Sequence, residues 1–70
     1  MTKEQLEQFV EDRLKRVSTA SNIEQKDKLF TQAFGGVEFF CMFNPSLEAE
    51  IADWWNDTQW GRFMNAIMEG

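Results

Sequence analysis

Leu6, Phe9, Val10, Leu14 and Val17 recur every three or four positions, the spacing of one buried helix face. Thr2 stands before them as an N-cap, and Gln5 three residues on completes a capping box. Glu11–Lys15 and Asp12–Arg16 are i,i+4 pairs in the favourable order, and Arg13, Lys15 and Arg16 crowd the end where the helix dipole favours cations. The polar run "STASN" stops this helix. Ser21 and Glu24 then read as a second capping box, opening a helix that reaches at least Phe34.

The segment "FGGVEFFCMFNP" carries two conflicting signals. A glycine pair after a helix commonly marks its C-cap, and Val37–Phe43 is rich in strand formers. Yet Phe30, Ala33, Phe34, Val37, Phe40 and Cys41 keep one helical phase straight across Gly35-Gly36. A strand here would find no second strand in the chain and leave its ladder unpaired. The pattern therefore predicts one helix to about Phe43, with the glycines marking a close helix–helix approach. Phe39, Met42 and Phe43 lie off the main face, which predicts that this half is buried all round.

Asn44-Pro45-Ser46 separates a third helix, with Asn44 or Ser46 as its N-cap and Pro45 in its first turn. At about 100° per residue, Leu47, Ile51, Trp54, Trp55 and Thr58 share one face. Trp60, Phe63, Met64 and Ile67 share another, nearly opposite. One straight helix cannot aim both sets at one core, so the pattern predicts a break within residues 56–61, where Asn56, Asp57 and Thr58 are all N-cap types. The expected fold is all-α: a small three-helix bundle whose C-terminal helix is broken, giving four helical segments in one domain, residues 1–70. The tryptophans sit on both sides of the break and belong first to the core.

"FGGVEFFCMFNP" followed by "AEIADWWND" resembles small uncharacterised proteins of Gram-positive bacteria and of their phages and mobile elements. The likeness covers roughly the C-terminal half of the chain. It implies no activity.

Composition narrows the chemistry. At 70 residues the chain is near the size where burial barely offsets conformational entropy, so few of its ten aromatics can be spared from the core. There is no histidine, hence no imidazole base or ligand, and no conventional Ser-His or Cys-His nucleophile. The single cysteine, Cys41, excludes an internal disulfide and a one-chain cysteine zinc site; its apolar surroundings point to a buried, inert thiol. No enzymatic activity, cofactor or metal is expected. The polar start "MTKEQLEQ" lacks a signal-peptide pattern, and no apolar stretch is long enough for a bilayer, so a cytoplasmic protein without membrane contact is expected.

Charge then singles out a surface. Residues 1–28 hold six basic and six acidic side chains; residues 29–70 hold six acids against Arg62 alone, so the whole net charge of −5 lies in the C-terminal part. Such a surface repels phosphate backbones and argues against direct nucleic-acid binding. Glu50, Asp53 and Asp57 make a stripe beside Trp54. The stripe reads as a solvated helix face or as a patch for a basic partner, since clustered like charge steers association. The candidate partner-binding residues are Glu50, Asp53, Trp54, Asp57 and Trp60. The function these features predict is a non-catalytic protein–protein interaction module, an acidic adaptor or inhibitor from a phage or mobile element, with self-association left open. The alternative is a small-ligand-binding protein with an aromatic Trp/Phe pocket, because tryptophan beside carboxylates can cage an ammonium group.

Overall fold

The computed structural model describes residues 1–69, and all its regular structure is helical. Helix α1 (Lys3–Thr19) begins with the capping box expected of Thr2 and Gln5. Helix α2 (Ile23–Phe43) runs unbroken through the glycine pair. A single 3-10 turn, Pro45–Leu47, leads into α3 (Glu48–Trp54); a π-helical turn, Trp55–Gln59, joins it to α4 (Trp60–Glu69). The three-helix bundle with an interrupted C-terminal helix is therefore present. Helix α1 lies along α2, α4 packs against both, and α3 leans on the C-terminal half of α2.

The interruption takes the form of the π-turn, closed by the Trp60 amide donating to the Trp55 carbonyl. Its physical reason lies in the buried series Ile51, Trp55, Gln59 and Phe63, each four residues from the last. In a regular α-helix every step of four overshoots a full turn by about 40°, so three steps drift ~120° off the core face. A π-turn holds one extra residue and gives back about 100° of that drift. Both halves of the C-terminal helix thereby face one core.

That core joins Leu6, Val10, Leu14 and Val17 of α1 with Ala33, Val37 and Phe40 of α2 and with Ile51, Trp55 and Phe63. Trp55 and Phe63 form its aromatic centre with the half-buried Phe30, and the 41%-exposed Phe34 flanks Trp55 at the surface; ring centroids are 5.6–5.8 Å apart for Trp55 with Phe30, Phe34 and Phe63. Such offset and tilted pairs add to the burial of each ring.

Three local expectations need correction. Asn22 caps α2, its side-chain oxygen accepting from the Gln25 amide at 2.9 Å, so the helix starts one residue later than a Ser21 cap implies. The C-terminal half of α2 is not buried all round: Phe39, Met42 and Phe43 are 60%, 73% and 66% exposed. The molecule measures 37 × 20 × 16 Å, a cross-section about two helices wide, so no element is left to cover that side. Trp60 is likewise 49% exposed and stands at the edge of the core, not inside it.

Asp12–Arg16 forms as the spacing suggests, at 3.1 Å. Glu11 instead reaches across the bundle, its carboxylate accepting from both terminal nitrogens of Arg62 at 2.9 and 3.0 Å. Arg62 also donates to the buried Gln59 side chain at 3.1 Å, which ties the π-turn to α1. The Arg62 hydrogen bond holds the Glu11 carboxyl below its ordinary value of 4.5, against the opposing effect of burial. A carboxyl whose folded-state pKa is depressed contributes stability above its unfolded pKa and loses it as pH falls through the folded value. The wild-type melting temperature should thus fall more steeply than that of Glu11→Gln as pH drops below about 4.5, a comparison thermal melts at several pH values can make. Equal slopes would show that the bridge contributes nothing; both partners are solvent-exposed, so the difference at neutral pH should be under about 1 kcal/mol.

Candidate functional site

Helix α3 has two faces with different chemistry. On one, Glu48 and Ala52, continued by Trp55 and Asn56 of the π-turn, look toward α2 and form one wall of a cleft of about 440 Å³. Phe34, Val37, Glu38, Cys41 and Met42 of α2 form the other wall. The floor is apolar and the charged groups of the lining, Glu38 and Glu48, are both acidic. About 100° per residue places Glu50 and Asp53 on the opposite face of α3, pointing away from the cleft.

The predicted stripe is exposed along its length. Glu50 is paired with Lys3 of α1 at 3.3 Å, a partner far away in sequence. Asp53 and Asp57 are exposed and make no ion pair among the described residues. Trp54 is half-buried against the core and Trp60 half-exposed, and neither lines the cleft. Glu50 and Asp53 thus share the outer side of α3 and Asp57 follows in the π-turn, all three exposed, while neither Trp54 nor Trp60 joins a cleft with them.

The cleft was missed because its two walls come from helices brought together only by folding. Part of the signal was present: Glu38 interrupts an apolar run, and Phe39, Met42 and Phe43 fall off the core phase. Those three residues continue the cleft's apolar floor around α2. With about 100° between successive residues, Met42, Phe39 and Phe43 follow one another around the helix away from Glu38. The rings of Phe39 and Phe43 pack on each other at 4.8 Å, in the open.

Cys41 is the thiol in this lining. Burial pushes its pKa above the ordinary 9.0, and the Glu48 carboxylate across the cleft adds to the shift. A thiol so held is protonated at neutral pH and a poor nucleophile. Lys26, the buried cation, donates to the Ala66 carbonyl at 3.1 Å; it ties α2 to the end of α4 and faces no cleft acid. Among the described residues no group of three acidic, cysteine or histidine side chains converges closely enough to hold a metal ion, and no helix is long and apolar enough to cross a membrane. No family model, curated protein or solved structure matches the chain.

Proposed function

We propose that this chain is a non-catalytic protein–protein interaction module that works through its C-terminal half. The observation that carries this reading is the exposure of Phe39, Met42 and Phe43 on one side of α2. A small domain gains much of its stability from burying aromatics, and isolated surface apolar residues are ordinary, but a contiguous apolar patch beside a cleft is the mark of a contact surface. The uncompensated acids of residues 29–70, Asp53 and Asp57 among them, supply a field that draws in a basic partner. An adaptor or inhibitor carried on a phage or mobile element suits a protein this small with these features, and its place of action would be the cytoplasm.

The small-ligand alternative has less to rest on. A cage for an ammonium group or a sugar needs separated aromatic walls, whereas Phe34 and Trp55, the two aromatic rings of the cleft, pack on each other with centroids 5.7 Å apart.

The test replaces the patch with polar side chains of similar length, Phe39→Gln, Met42→Gln and Phe43→Gln together. These side chains are mostly in solvent, so the melting temperature should change little. A partner captured by the wild-type protein and reconstituted with it from purified components should be lost by the triple variant. In the same reconstituted complex, Asp53→Asn with Asp57→Asn should leave the fold intact, weaken binding and reduce its dependence on salt. A triple variant that binds as tightly as wild type would overturn the reading.

A further inference from the structure

We propose that the cleft between α2 and α3 seats a basic amphipathic helix of a partner protein, its apolar side chains resting on Phe34, Cys41 and Met42 and its lysine or arginine side chains beside Glu38 and Glu48. This rests on the interaction reading and names the site and the chemistry of the partner. Both walls are helices whose backbone hydrogen bonds are satisfied internally, so the cleft offers no strand edge for an extended peptide to join. An apolar groove between two helices is the setting for the helix-in-groove mode, in which residues at i, i+3 or i+4 and i+7 act as anchors. Its volume, about 440 Å³, has room for a few such side chains but not for a folded domain.

Charge selects the partner. The charged residues of the lining are Glu38 and Glu48, and residues 29–70 carry a single basic side chain, Arg62, which is engaged by Glu11. An acidic or neutral helix would leave these carboxylates facing like charge or apolar groups, whereas a basic helix pairs them at the rim. The same argument disfavours a second copy of this chain. A two-fold dimer through this face sets the patch against the same patch, and so collects four carboxylates, Glu38 and Glu48 of each copy, in one interface.

Gly35 adds an independent detail. It lies within α2 beside Met42, a Cβ built on it meets nothing within 4 Å, and no packing in the molecule requires it. A glycine there costs helix stability with no intramolecular return, while its bare backbone lets an incoming helix approach closely next to the cleft.

The experiment titrates the full chain with a synthetic amphipathic helix of lysine and leucine, and with a counterpart in which every lysine is glutamate. Backbone amide shifts and the rate of Cys41 alkylation by iodoacetamide are read. The lysine peptide should shift amides within residues 34–42 and 48–56, slow Cys41 alkylation, and bind more weakly as salt is raised. The glutamate peptide should do none of these. Glu38→Gln with Glu48→Gln, both exposed, should weaken binding about tenfold, the sum of two surface ion pairs. Ala52→Phe, which fills the cleft from its wall, should abolish it. Absence of binding, equal binding of the two peptides, or shifts confined to Glu50, Asp53 and Asp57 would overturn the cleft assignment. So would a dimer of the free protein that Ala52→Phe disrupts, since a second copy would then be the occupant. The interaction reading fails separately, in the reconstituted complex with the Phe39, Met42 and Phe43 variant; a peptide that binds elsewhere on the surface leaves it standing.

Discussion

Trp55→Ala is expected to remove a large share of the protein's stability and to bring it close to unfolding. Trp55 is 3% exposed and sits against Phe30, Phe34 and Phe63, so its loss opens a cavity bordered by three aromatic rings. Large-to-small aromatic changes in cores cost about 3–5 kcal/mol. At roughly 0.05–0.15 kcal/mol per residue, a domain of this length has about 4–10 kcal/mol of total stability, so the change removes a large share of it. Far-UV circular dichroism should show a melting transition shifted far down or absent. Trp55→Phe keeps a ring in the cluster and should retain a cooperative transition. A Trp55→Ala protein that melts like wild type would remove Trp55 from the core, and with it the reason for the π-turn at that position.

The glycine pair provides the second large effect, because its two members should respond with opposite sign. Gly35→Ala adds a methyl group to open space and reduces the entropy lost on forming the helix, so it should stabilise α2 by about 0.5–1 kcal/mol. Gly36→Ala gains the same propensity but places its Cβ 2.7 Å from Cε2 of Phe9, closer than two carbons can stand. The Phe9 ring must move, and the Arg13 guanidinium lies over it, 4.7 Å from the ring centroid. Forcing extra volume into a packed contact costs about 1–3 kcal/mol, so Gly36→Ala should melt below wild type and Gly35→Ala above it. Phe9→Leu should recover part of the loss in the Gly36→Ala background. Two glycine variants that shift the melting temperature alike would mean that α1 does not approach α2 at Gly36.

These two residues also show how far the sequence can be read. The helical phase that Ala33, Phe34, Val37 and Phe40 keep across the glycines was enough to predict α2 as one helix, because helical periodicity is a property of the chain alone. Which glycine admits a neighbour was not legible, since it depends on where Phe9 of another helix comes to rest. The acidic stripe divides in the same way. The placement of Glu50 and Asp53 on one side of α3 follows from their spacing, but the Lys3 partner of Glu50 comes from the other end of the chain.

Local patterning thus determined the helical class, the order of the helices, the ends of α1 and α2 to within one or two residues, and the need for an interruption near Asn56. Each of these follows from side-chain spacing, capping chemistry or the phase conflict between the apolar sets of residues 47–58 and 60–67. Patterning did not give the start of α3, which a 3-10 turn precedes and neither Asn44 nor Ser46 caps. Tertiary structure alone decided the form of that interruption, since only the common core of Ile51, Trp55, Gln59 and Phe63 selects a π-turn over a kink. It also decided that Phe39, Met42 and Phe43 stay in solvent, because hydrophobicity says that a side chain gains by burial and not whether another element is there to bury it. For the same reason the cleft between α2 and α3 exists only in the folded chain: Glu38 and Glu48 are ten residues apart in sequence, and packing brings them to the rim of one groove.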